Sequence, residues 1–150
     1  MKRSIDDFCR HLGAERNVSP HTLEAYRNDL EQFRVFLDGE KGEAVAPDAV
    51  DHLLIRRYLA HLHGEYRRSS IGRKLAAIRS LFTYLLRQGR VDKNPAELVA
   101  TPKREKKVPY HLTIDEVTDL VQAPHGTDLL SLRDRAILET LYSCGIRVSE

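Results

Sequence analysis

An all-α fold is what this sequence predicts, and three observations predict it. Apolar residues recur every three or four positions in successive stretches of the 150-residue chain. Capping residues and glycines bracket those stretches. No stretch alternates apolar with polar as a half-buried strand would, and no internal repeat or low-complexity tract appears.

The first helix is predicted over about residues 4–13, with Ile5, Phe8 and Leu12 in register and Gly13 near its end. The second opens at "SPHTLEAY", where Ser19 caps free N–H groups and Pro20 suits the first turn because its missing N–H costs nothing there. Leu23, Tyr26, Leu30, Phe33 and Leu37 then form one apolar stripe, and Gly39 and Gly42 end it. A third helix runs from about 51 to 63, capped by Asp51, with Leu54, Ile55, Tyr58, Leu59 and Leu62 inward. The fourth, about 70–88, takes Ser69 or Ser70 as its cap and Gly89 as its stop, and buries Ile71, Leu75, Ile78, Phe82 and Leu85. Its opposite face reads Arg73, Ala76, Ala77, Ser80, Thr83, Tyr84 and Arg87, with Lys74 and Arg79 on the shoulders. Small residues let a helix backbone approach another surface closely and arginines surround them, which is what a DNA major groove requires. A helix–helix contact through Ala and Ser is the alternative.

Asn94 and Pro95 suggest a short capped turn. Pro102, Pro109 and the run Lys103, Arg104, Lys106 and Lys107 then read as an extended basic linker. Beyond it, Thr113 with Glu116 makes a capping box, and Ser131 with Asp134 suggests a second. The last helix, ended by Gly145, is apolar nearly all round and so is expected to be buried on several sides. Residues 112–150 are too few to bury it alone, so they are expected to be an incomplete start of a second domain. The organisation predicted is therefore 1–101, a linker at 102–111, and 112–150.

The net charge of +2 conceals an uneven distribution. Residues 56–107 carry fourteen Lys/Arg against four Asp/Glu, whereas 1–55 and 108–150 each carry a net −4. A basic middle between acidic flanks reads as a polyanion-binding surface, with a merely solvated basic face as the alternative. The chain has no apolar run of membrane-spanning length and "MKRSIDDFCR" lacks a signal-peptide core, so a cytoplasmic location with no membrane partner is expected. Cys9 and Cys144 are isolated and read as small buried hydrophobes. His61 and His63, two apart on a helix, point in different directions, so no metal site is expected.

The blocks "SPHTLEAYRNDL", "SSIGRKLAAIRSLFTYL", "NPAELVATPK" and "LRDRAILETLYSCGIRVSE", in that order, resemble the tyrosine recombinase (phage integrase) family, especially its bacterial Xer-type members. The resemblance covers nearly the whole chain. It implies a four-helix, SAM-like core-binding domain and a larger catalytic domain that clamp DNA from opposite sides. It implies site-specific cutting and rejoining of DNA through a 3′-phosphotyrosyl intermediate, without metal or nucleotide cofactor. The family's "GxRxSE" context falls on "GIRVSE", placing a catalytic arginine at Arg147 and an acidic residue at Glu150. A guanidinium is planar, permanently charged and able to donate two parallel hydrogen bonds, which suits the non-bridging oxygens of a phosphate in transfer. Glu150, three positions on, would hold that guanidinium or a neighbour in place. No His-x-x-Arg occurs, and the six tyrosines lie in other contexts, so the stretch is expected to bind DNA but not to cut it.

The contacts expected with DNA are Ser69 and Ser70 to phosphate, Arg73, Ala77, Ser80 and Tyr84 toward the groove, and Lys74, Arg79, Lys103, Arg104, Lys106 and Lys107 along the backbone. His21 and Thr22, at the start of the second helix, are further phosphate candidates. The partners implied are duplex DNA with an inverted-repeat site, a recombinase tetramer with a paired Xer protein, and a septal DNA translocase. The implied setting is chromosome-dimer resolution at cell division. A mobile-element integrase, a non-enzymatic helical DNA-binding regulator and a protein–protein module are the alternatives.

Overall fold

The computed structural model describes residues 1–15, 18–103 and 108–148. The chain divides into two compact units, Met1–Glu105 and Lys106–Glu150, the break falling inside the 102–111 stretch. Among the described residues the regular elements are helices, joined only by an isolated bridge between His63 and Tyr66. No helix among them is long and apolar enough to cross a membrane.

The first unit holds α1 (Lys2–Glu15), α2 (Pro20–Lys41), a 3₁₀ turn (Pro47–Ala49), α3 (His52–His61) and α4 (Arg68–Arg87). The Ser19 hydroxyl accepts from the Thr22 N–H at 3.3 Å, and Pro20 occupies the first helical position of α2. Gly42 ends α2 in a left-handed conformation (φ 70°) that a side chain would disfavour, its N–H donating to the Asp38 carbonyl at 2.9 Å. Asp38 organises the return: one carboxylate oxygen accepts from Arg34 and the other from the Val45 N–H. Asp51 caps α3 through the Leu54 N–H at 2.8 Å.

Helix α2 is the shared centre, packing on α1, α3 and α4. It contributes Leu30, Phe33 and Leu37 to a core completed by Phe8 from α1, Ile55 and Tyr58 from α3, and Ile71, Leu75, Ile78, Leu81, Phe82 and Leu85 from α4. Phe33 and Phe36 both set their rings about 5 Å from Tyr58. Each fully buried side chain of this size contributes roughly 1.5–3 kcal/mol, so the stripes read from the sequence are what hold the unit together.

Several local expectations are corrected. Helix α1 is longer than 4–13 and passes through Gly13, and α2 continues through Gly39 to Gly42. Helix α4 begins at Arg68 with Arg67 in the capping position and no side-chain cap, so neither Ser69 nor Ser70 caps it; both lie in its first turn.

In the second unit α5 (Ile114–Gln122) and α6 (Leu129–Cys144) pack on each other. The Thr113–Glu116 capping box forms, the Thr113 N–H donating to the Glu116 carboxylate at 2.7 Å and the Glu116 N–H to the Thr113 hydroxyl at 3.3 Å. The second box does not form. Asp128 caps α6 through the N–H groups of Leu130 and Ser131, and the Ser131 hydroxyl donates back to it; the helix already opens at Leu129, which puts Ser131 inside its first turn instead of at the cap. No residue of α5 or α6 is buried: Leu129, Leu130 and Leu132 of α6 are more than half exposed, and Cys144 is exposed where burial was expected.

Candidate nucleic-acid interface

Helix α4 presents one continuous outward stripe. Ser69, Arg73, Ala76, Ser80, Thr83 and Arg87 follow one another at spacings of four and three, so successive side chains stand above each other. Ser69, Arg73, Ala76 and Arg87 are exposed, Ser80 and Thr83 half-exposed, and no carboxylate interrupts them. Arg67 and Arg68 stand at the N-terminal end, where uncapped N–H groups add positive potential. Among the described residues Arg67, Arg68 and Arg87 form no ion pair.

Beside the C-terminal half of the stripe lies a groove of about 370 Å³. His11 of α1 and Thr22 of α2 face Ser80, Thr83 and Arg87 across it. Its floor is aromatic: Tyr84 is half-buried, its ring 5.6 Å from Phe8 and 4.9 Å from His11. Tyr84 was expected to project outward and instead packs, its ring being too large to leave the α1–α4 seam without cost.

Toward the N-terminal half, three charges meet. Asp29 of α2, only 2% exposed, accepts from the Lys74 ammonium at 2.9 Å and from Nη1 of Arg73. Lys74, 3% exposed, also donates to the Gln32 side chain and sits 4.9 Å from the centre of the Tyr66 ring. Lys74 is therefore not a phosphate contact; a distant carboxylate pulls it into the core, where its charge is neutralised. The Tyr58 hydroxyl is buried nearby without a hydrogen-bond partner, and burial pushes its phenol well above the ordinary range, with the Asp29 charge adding to the rise.

Ala77 is fully buried in the core, so it does not face a groove; Ala76 takes the outward position. Arg79 is likewise a structural residue. Its Nε donates to the Ala96 carbonyl at 3.1 Å, Nη1 to the Thr101 hydroxyl at 2.8 Å, and Nη2 to the Val99 carbonyl. Asn94, buried, reinforces the same junction by donating to the Arg79 carbonyl and the Thr83 hydroxyl while accepting from the Ala96 N–H. Residues 94–101 are thus lashed to α4 by its own shoulder arginine.

Of the other expected contacts, His21, Thr22 and Lys103 are exposed and Ser70 half-exposed. Arg104, Lys106, Lys107 and Glu150 lie outside the described residues. Arg147 is exposed, two residues past Gly145, whose left-handed conformation (φ 60°) turns the chain at the end of α6. Asp29 and His11 were missed. Asp29 had a signal, since it stands three after Tyr26 and four before Phe33 and so falls on the inward face of α2.

The family model for the phage integrase N-terminal SAM-like domain matches residues 5–89, from α1 to the glycine after α4. A tyrosine recombinase XerC from Pelobacter propionicus is 57% identical over 150 residues, covering 100% of this chain and 50% of that protein. One from Pelotomaculum thermopropionicum is 44% identical over 151 residues, covering 97% of this chain and 49% of that one. The chain spans about half the length of the curated relatives it matches. A lambda integrase dimer bound to a COC′ core site is similar in structure with a TM-score of 0.67 at 19% identity, covering 86% of this chain and 35% of that one. An integrase from mycobacterium phage Brujita gives a TM-score of 0.61 at 20% identity, over 81% and 39%. At those identities the likeness is one of fold. With the family model spanning α1 to α4 and the α4 stripe standing on that scaffold, the chain belongs to the phage integrase family of tyrosine recombinases, and the match to that family's N-terminal SAM-like domain lies within its first unit.

Proposed function

We propose that this chain is the DNA-clamping part of a site-specific tyrosine recombinase. The observation that carries the reading is the α4 stripe: small residues flanked by arginines with no carboxylate, on a chain whose middle is strongly basic. The lambda integrase neighbour was solved on a core-site DNA, which supports a nucleic-acid role for the same fold. In this reading Arg73, Ala76, Ser80 and Thr83 face the groove, Arg67, Arg68, Arg87 and Ser69 meet phosphates, and His21, Thr22 and Lys103 extend the footprint.

Residues 102–111 act as a basic strap, and 112–150 as the opening part of the catalytic domain. There Arg147 supplies a planar cation for the non-bridging oxygens of the scissile phosphate, and Glu150, three positions on in the sequence, holds that guanidinium or a neighbour in place. The whole enzyme cuts and rejoins DNA through a 3′-phosphotyrosyl link, which conserves the bond energy and needs no cofactor. No tyrosine of residues 1–150 is assigned as the nucleophile. Its substrate is an inverted-repeat duplex, its assembly a tetramer with a paired Xer recombinase, its regulator a septal DNA translocase, and its task chromosome-dimer resolution in the cytoplasm.

The test is a salt titration of duplex binding by fluorescence anisotropy. If about five phosphates are neutralised, log K falls against log salt with a slope near −4.5. Binding that is absent at 50 mM salt, or indifferent to salt, overturns the reading. A nicked suicide duplex offered to this chain is expected to give no covalent adduct; a trapped adduct would show that the nucleophile lies within it.

A further inference from the structure

The Asp29 cluster lies beneath the proposed DNA face, and its arrangement bears on how that face reads sequence. Asp29 has two carboxylate oxygens and spends them on different partners: Oδ1 on buried Lys74, Oδ2 on Nη1 of Arg73. Arg73, unlike Lys74, keeps 48% of its side chain exposed. Only Nη1 of its guanidinium is engaged among the described residues, so the Nε/Nη2 edge has no acceptor there.

Two physical consequences follow. A long, flexible side chain is held at its tip by a group that cannot itself reach solvent, so its ordering is completed before any ligand arrives. The charges also balance favourably: Lys74 already neutralises Asp29, so the carboxylate that steers Arg73 does not repel phosphates, and the cluster delivers a net single positive charge outward through Arg73. A guanidinium fixed by one nitrogen and open along another edge still has two parallel donors, the pattern that pairs with a guanine edge or a phosphate.

We infer that Asp29 is a positioning residue that sets the base selectivity of this chain by fixing the Nε/Nη2 edge of Arg73. The inference rests on the DNA-binding reading above and deepens it.

The experiment selects duplexes from a randomised pool on the wild-type chain and on Asp29→Asn, Arg73→Ala and their double variant, and sequences the bound fraction. Affinity for unselected random duplex is measured alongside. Wild type is expected to enrich particular base pairs, and Arg73→Ala to lose about tenfold at one or two of them. Asp29→Asn is expected to lose preference at those same positions, with the double variant no worse than Arg73→Ala. Its random-duplex affinity should hold or tighten, because one negative charge has gone. A purely structural role would lower random and selected binding together, overturning the inference. So would an unchanged base profile, or a sharpened one, which would mean that Asp29 sequesters Arg73 instead of presenting it.

Because Asp29→Asn leaves Lys74 buried without its counter-charge, the companion variant Asp29→Leu/Lys74→Met replaces the pair by apolar side chains, which buried ion pairs often tolerate. It leaves the cluster's outward charge unchanged and must show the same positional loss. A wild-type chain that binds no duplex refutes the DNA-binding reading itself; a selective wild type with indifferent Asp29 variants refutes only this inference.

Discussion

Arg79→Met separates a scaffold arginine from a DNA contact. Methionine keeps the apolar stem and removes the three hydrogen bonds to the Ala96 carbonyl, the Thr101 hydroxyl and the Val99 carbonyl. Hydrogen bonds from a charged donor contribute about 1.5–3 kcal/mol when shielded, and the bond to Thr101, which lies at the surface, contributes less. Ala96 and Val99 are buried, so their carbonyls are left with little access to replacement water. The expected loss is about 3 kcal/mol. With a urea dependence of about 2 kcal/mol per molar for a domain of this size, the midpoint falls by about 1.5 M. Urea unfolding followed by helical circular dichroism measures it. The slope of DNA affinity against salt, taken at low temperature where the variant is folded, is expected to match wild type. Arg87→Met should do the reverse: a midpoint shifted by less than about 0.3 M and a slope shallower by about 0.9, the loss of one phosphate contact. A wild-type midpoint for Arg79→Met together with a shallower slope would refute the assignment of Arg79 to the scaffold.

Two adjacent alanines make a second test. Ala76→Glu should leave melting unchanged and weaken duplex binding at least tenfold in anisotropy, whereas Ala77→Leu should cost about 1–3 kcal/mol in urea by overpacking a filled core. Tyr58→Phe removes a buried hydroxyl that has no partner, so thermal and urea unfolding should show unchanged or slightly raised stability, by up to about 1 kcal/mol. Asp7, Glu31, Glu116 and Asp128 all have carboxyls held below their ordinary values: Asp7 by Arg90, Glu31 by Arg34, Glu116 first by the Thr113 N–H, and Asp128 first by the Ser131 hydroxyl. The unfolded chain takes up protons there first, so their stabilisation is complete above about pH 5 and fades as pH falls below about 4. Circular dichroism against pH should stay flat from 7 to 5; a loss that begins well above pH 5 would refute this account.

The helices were legible because each carries its own apolar period, and the capping residues Ser19, Asp51 and Thr113 announced three of their starts. What the sequence concealed depended on partners far along the chain. Alanine fits an inward or an outward position equally, so the sequence set both Ala76 and Ala77 on the outer face, although neighbours stand about 100° apart on a helix and Ala77 is buried. A lysine normally signals solvent, yet Lys74 is buried because Asp29, on another helix, neutralises it. Arg79 looked like a free cation until the turn at Asn94 brought carbonyls within its reach. Periodicity records which face of a helix is buried; it does not record which charges have been spent inside.

The uncovered leucines of α6 have a consequence for how this chain behaves in a tube. Leu129, Leu130 and Leu132 on one unit invite self-association through oily contact, which added salt leaves intact or strengthens. The nucleic-acid binding proposed for the arginine-bearing stripe of α4 would respond in the opposite sense, weakening as ions crowd in. Raising ionic strength therefore sorts the two kinds of complex: particles that persist are protein clustering on itself, and those that dissolve are held by charge.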